Sequence, residues 1–89
     1  MKQHIIVHGT VQGVGFRHFV QTEAEKHGVN GWVRNKSDGT VEVKAESDEQ
    51  TMGGFLDSVA GGNNFSKVDH LDIEATDSVE HNGYFSVKY

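Results

Sequence analysis

Val41, Val43 and Ala45 alternate without a break with Glu42, Lys44 and Glu46. A period of two is the signature of a strand with one apolar and one polar face. A sheet built from such strands needs covering on one side only. The same pattern recurs elsewhere in the chain. Gln3 to His8 sets Ile5 and Val7 against His4, Ile6 and His8, and Leu71, Ile73 and Ala75 alternate nearer the C-terminal end. Val29 to Lys36 carries Trp and Val and reads as another strand, joined to Val41 through the turn residues Ser37, Asp38 and Gly39. Phe85, Val87 and Tyr89 mark a short terminal strand.

Two segments switch to a helical period and supply the cover. Phe16, Phe19, Val20 and Ala24 form one stripe, stopped by Gly28 in the place where a left-handed residue ends a helix. Met52, Phe55, Leu56 and Val59 form the second, introduced by Ser47 and Gln50 at capping-box spacing and ended by Gly61 to Asn64. Gly53 and Gly54 lie inside this second stripe, each costing about 1 kcal/mol against alanine. The order is βαββαβ with a terminal strand added. It predicts an α+β, ferredoxin-like two-layer sandwich: an antiparallel sheet with two helices on one face. At 89 residues the chain is expected to be a single domain over residues 1–89. Glu42, Lys44 and Glu46 are expected to face solvent.

Composition narrows the partners. Cysteine is absent, which excludes disulfides and Cys-based zinc sites. A net charge of −5, from 13 acids against 8 bases, speaks against a general nucleic-acid binder. No apolar run is long enough to span a membrane, and the start MKQHIIVHG is too short for a signal peptide. The expectation is a cytoplasmic monomer. His4 and His8 share a strand face, but four residues of strand put them about 13 Å apart, too far to hold one ion. His18, His27, His70 and His81 show no ligand spacing along the chain, so no metal or cofactor is expected.

The chemistry concentrates in GTVQGVGFR, from Gly9 to Arg17. Three glycines fall at the mouth of the first helix, which has no Ser, Thr, Asp or Asn to cap it. Uncapped N–H groups at a positive helix end favour an anion, and Arg17 adds a guanidinium fork suited to phosphate. The spacing is neither a Walker loop nor a dinucleotide fingerprint. A plain glycine-rich connector with an exposed arginine weighs about equally. Asn35 ends the second strand. In a split βαβ unit the first and second strands run parallel with one strand between them, so Asn35 and Arg17 meet at the same sheet edge. An amide there can orient a water or a phosphate oxygen, or it can be an ordinary turn residue.

VQGVGFR, then GWVRN, then DGTVEV, and finally FSVKY resemble the acylphosphatase family nearly end to end. The resemblance implies hydrolysis of carboxyl-phosphate anhydrides to a carboxylate and phosphate. It also implies that Arg17 binds the phosphoryl group together with the backbone of Gln12, Gly13, Val14, Gly15 and Phe16. Asn35 would position the attacking water, itself held by a backbone carbonyl near Gly9. A small acyl phosphate is the implied substrate, with inorganic phosphate or sulfate as a competing anion. His18 stands where members often carry an aromatic or a lysine, and Gly61 to Asn64 occupy a turn that often holds proline in relatives. Neither is expected to touch the motif. The same βαββαβ order also hosts RNA-recognition and small-molecule regulatory domains, and a non-catalytic phosphate-binding relative is a further alternative. An RNA reader needs aromatics exposed on its central strands; the third strand here carries Glu42, Lys44 and Glu46.

Overall fold

A computed structural model describes every residue from Met1 to Tyr89. Along the chain it has β1 (Lys2–Thr10), α1 (Phe16–His27), β2 (Asn30–Asn35), β3 (Val41–Glu46), α2 (Glu49–Gly61), β4 (Lys67–Ala75) and β5 (Phe85–Lys88). The five strands form one sheet in the order β4-β1-β3-β2-β5. The register sets Ile5 beside Val43 and Val43 beside Val33. Every apolar residue of the alternating pattern on these strands therefore falls on one face. That face packs under Phe16, Val20 and Ala24 of α1 and Met52, Phe55 and Val59 of α2, all buried. This is the two-layer, ferredoxin-like arrangement that the periods predict.

The sheet is mixed, not wholly antiparallel, because β5 joins β2 in parallel. The route of the chain explains this. β4 runs antiparallel to β1 at the far edge, so it ends at the edge where β2 begins. Residues 76–84 then cross the outer face, where Lys44 Nζ donates to the Ser78 carbonyl at 3.4 Å and Trp32 Nε1 donates to Glu80 at 3.3 Å. β5 starts where β2 starts and must run in its direction. Its end, at Lys88 and Tyr89, arrives beside the start of α1.

Two local expectations are corrected. The cap of α2 is Asp48, not Ser47: its carboxylate accepts from the Thr51 backbone N–H at 2.8 Å and from the Thr51 hydroxyl at 3.0 Å. A charged acceptor one residue on is the better cap for a positive helix end. Gly54 also has a packing reason, since a Cβ there would lie 3.3 Å from the His27 ring of α1.

The larger correction concerns the outer face. Glu42 is buried, at 8% exposure, although it stands on the polar side of β3. Its two carboxylate oxygens accept from His4 of β1 and Arg34 of β2, each at 2.6 Å. Alternation identifies the polar face of a strand, but long neighbours on both flanking strands can still close over its middle. Burial pushes the Glu42 carboxyl up, but the His4 and Arg34 bonds and charges outweigh this and hold it below its ordinary value. A depressed carboxylate contributes stability above its unfolded value, about 4.3, and loses it as pH falls through the folded value. Glu42→Gln should cost about 1–2 kcal/mol near pH 7, after discounting the half-exposed Arg34. Denaturant melts across pH should show the gap to wild type narrowing once pH falls below the unfolded value of about 4.3, and closing at lower pH as the native carboxylate is protonated too.

Candidate active site

The edge where β1 and β2 end is built to expose backbone donors. β1 shifts register between His8 and Gly9. A Cβ on Gly9, at φ 137°, would lie 2.0 Å from the Lys67 carbonyl oxygen, so only glycine lets β1 stay against β4 while the chain turns away. Gly15 sits at φ 73° at the N-cap of α1, with no side chain capping the helix and no acidic residue in the first turn. No backbone N–H from Gly13 to His18 donates to a protein acceptor. The first turn of any helix leaves such groups unpaired; here a loop of further free donors leads into it. Phe16, 1% exposed, anchors this turn in the core.

The loop is braced from outside. Gln12 Nε2 donates to the Lys36 carbonyl at 2.7 Å and to the Thr40 carbonyl at 2.8 Å, tying the loop to the β2–β3 hairpin. Asn63 Nδ2 donates to the Val14 carbonyl at 3.0 Å. The turn after α2, expected to stand clear of the motif, therefore holds it directly. With the Val14 carbonyl occupied outside, the loop is fixed with its donors unspent.

Arg17 is oriented by the end of the chain. Its Nη1 donates to the Lys88 carbonyl at 3.1 Å, and its guanidinium carbon lies 4.5 Å from the centre of the Tyr89 ring. The Tyr89 hydroxyl reaches His18 Nε2 at 3.3 Å. No carboxylate forms an ion pair with Arg17; the molecule's other arginine, Arg34, is paired with Glu42. An arginine has five N–H donors in a fixed fork, so one bond to Lys88 aims the group and leaves the others for a ligand.

Asn35 closes the site. It ends β2 opposite Val41, and its Oδ1 is buried with no hydrogen-bond partner. The expected link from Asn35 to a carbonyl near Gly9 is not formed. A buried amide oxygen left unpaired costs about 1–3 kcal/mol, and such orphans in native structures call for a functional reason. Val11, Gly13, Gly15, Phe16, Arg17, His18 and Asn35 line one concavity of about 80 Å³. A concavity this small suits a compact group such as a phosphoryl. Of the residues expected to bind phosphate, Gly13, Gly15, Phe16 and Arg17 line it, whereas Gln12 and Val14 act in the bracing. Val11 lies inside the Gly9–Phe16 stretch expected to form the cradle, whereas His18, Asn63, Lys88 and Tyr89 were not read as site residues. Lys88 and Tyr89 lie in the final FSVKY, which carries no cue that the terminal strand returns to the first helix.

Gln12→Ala should remove both hairpin ties and lower stability by about 1–2 kcal/mol, read as a lower midpoint in urea at unchanged slope. An unchanged midpoint would mean that the loop holds itself.

Comparison with known proteins finds relatives that match nearly the whole chain. The family model described as Acylphosphatase matches residues 3–87. An acylphosphatase of Bacillus licheniformis is 47% identical over 89 residues, covering 100% of this chain and 99% of the relative. One from Bacillus subtilis is 45% identical, covering 100% of this chain and 98% of the relative. The crystal structure of acylphosphatase from Bacillus subtilis aligns with TM-score 0.91 at 47% identity over 100% of both chains. The structure of an acylphosphatase from Coxiella burnetii aligns with TM-score 0.89 at 32% identity, covering 98% of this chain and 90% of the other.

Proposed function

The chain belongs to the acylphosphatase family of hydrolases, and from that premise we propose that it cleaves small acyl phosphates in the concavity between Gly13, Arg17 and Asn35. The observation that carries this reading is the row of free N–H groups from Gly13 to His18 beside an arginine with no carboxylate partner. Together they make a cradle for a group of high negative charge and small size. The acyl half of the substrate projects out of so small a cavity, so recognition rests on the phosphoryl group.

In the proposed reaction the cradle and Arg17 hold the phosphoryl oxygens and neutralise their charge. Asn35 holds a water in line with the bond to be broken. The water oxygen forms the new bond to phosphorus as the bond to the acyl oxygen breaks, and the carboxylate leaves with that electron pair. The water's proton passes to a phosphoryl oxygen of the substrate. A carboxylate is already a good leaving group, so positioning and charge neutralisation make up most of the task. Residues 1–89 act as one domain and as a monomer in this reading, in the cytoplasm. No helix is long and apolar enough to cross a membrane.

Inorganic phosphate or sulfate should compete with substrate and stabilise the native state, by about 2.7 kcal/mol at a hundredfold excess over the dissociation constant. Arg17→Ala should remove that stabilisation and reduce kcat/KM at least 10²–10³-fold, about 2.7–4 kcal/mol. Arg17→Lys should also be poor, because an ammonium cannot reproduce the fork. A melt unaffected by either anion would tell against the cradle.

Asn35→Ala separates binding from chemistry. The charge that Arg17 meets is present in ground and transition states alike, whereas the placement of the water matters only for attack. The variant should keep its affinity for inorganic phosphate and lose turnover of a model acyl phosphate. Full turnover in Asn35→Ala would remove the residue from the mechanism.

A further inference from the structure

Outside this cavity, on the outer face of the sheet, three metal-ligating side chains converge across the β1–β4 pair. His8 lies directly opposite His70 in the register, and Asp72, two residues on, faces the same side. His8 Nε2 is 2.8 Å from Asp72 Oδ2, and His70 Nε2 is 3.7 Å from Asp72 Oδ1. The two imidazole rings stack with centroids 4.1 Å apart and planes 8° from parallel. A ligand atom from each residue lies within 4.8 Å of the others. Spacing along a single strand hides this set: residues 8 and 70 are far apart in sequence, and only the antiparallel register brings them together.

We propose that His8, His70 and Asp72 bind one divalent transition-metal ion of the zinc class. Two imidazoles and a carboxylate are a donor set suited to Zn²⁺ and Ni²⁺ and poorly suited to Mg²⁺ or Ca²⁺, which take mainly oxygen ligands. Metal–ligand bonds of about 2.0–2.2 Å need the three atoms to draw closer than they stand. The side chains of His70 and Asp72 are 58% and 62% exposed, so they can turn without disturbing the core, and the rings swing out of their stack to aim both lone pairs at one point. The fourth tetrahedral position is left to water. The ion takes the place of the hydrogen bond between His8 and Asp72, with the His8 proton carried on Nδ1.

The location gives the site a structural consequence. Gly9, at which β1 shifts register against β4, follows His8 immediately, and the phosphate loop starts beyond Thr10. An ion here clamps β1 to β4 at the last pair before the register shift. It does not line the phosphoryl cavity, and it supplies no group to the reaction proposed above.

The test uses untagged, chelator-treated full-length protein, titrated with Zn²⁺ by calorimetry and with Co²⁺ by visible absorption. The expected result is one ion per chain, an intense tetrahedral Co²⁺ band displaced by Zn²⁺, and a melting temperature that rises with Zn²⁺ but not with Mg²⁺. His70→Gln and Asp72→Asn, both exposed and conservative, should each weaken Zn²⁺ binding at least tenfold. His70→Gln should leave metal-free hydrolysis of a model acyl phosphate unchanged, and His81→Gln should bind Zn²⁺ as wild type does. Absence of a saturable 1:1 site, or equal Zn²⁺ affinity in wild type and His70→Gln, would overturn the proposal. Hydrolysis by the metal-free protein is a separate readout, so neither result bears on the phosphoryl site.

Discussion

Burial of one face of the sheet is the constraint from which the rest follows. The alternating strands leave Ile5, Val7, Val33, Val41, Val43 and Ala45 on a single side, and two helices must cover them. A helix that leaves β1, crosses that face and feeds β2 makes β1 and β2 parallel, with β3 between them. The ends of both strands and the start of α1 then have to share one edge. The meeting of Arg17, Asn35 and the glycine loop is thus a by-product of covering the core. Little further stabilisation is needed to bring these groups together; it is needed to keep them from satisfying one another.

That second task explains the contacts around the cavity. A loop with many free donors tends to fold onto its own carbonyls, and an arginine tends to find a carboxylate. Here Gln12 ties the loop to the Lys36 and Thr40 carbonyls, Asn63 occupies the Val14 carbonyl, and the Lys88 carbonyl aims Arg17 without neutralising it. Neutral amides and carbonyls do the holding. A carboxylate in any of these places would compete with a phosphoryl group for the same charge. The unpaired Asn35 Oδ1 fits the same pattern of polar capacity held in reserve at a rigid site.

The layers, the element order and the glycine loop were legible because each is written in local period or local chemistry. Arg17 and Asn35 were legible as a pair because the βαβ crossover fixes where strand ends go. The rest depends on pairings that no local pattern encodes. Nothing near Asp72 indicates that His8 and His70 stack beside it, since the register across β1 and β4 decides that. Glu42 reads as a solvated position from its place in the alternation, yet His4 and Arg34 on the neighbouring strands close over it. The parallel β5 follows from the direction in which β4 ends, which is a property of the whole topology. Asp48 in place of Ser47 as the cap of α2 is a one-residue ambiguity between adjacent good caps.

Charge supplies the last step. The chain carries −5 overall, so its field at long range repels the phosphoryl dianion that the proposed reaction brings to the cavity. Salt screens that repulsion over about 8–10 Å, whereas the cradle acts by direct contact within a cavity of about 80 Å³. Attraction therefore begins only at close quarters, where Arg17 and the loop of free N–H groups at the start of α1 line one concavity. A site organised this way gains little from steering and much from preorganisation. It also discriminates by shape: an anion too large to bring its charge into contact with the loop meets only the repulsive field of the molecule around it.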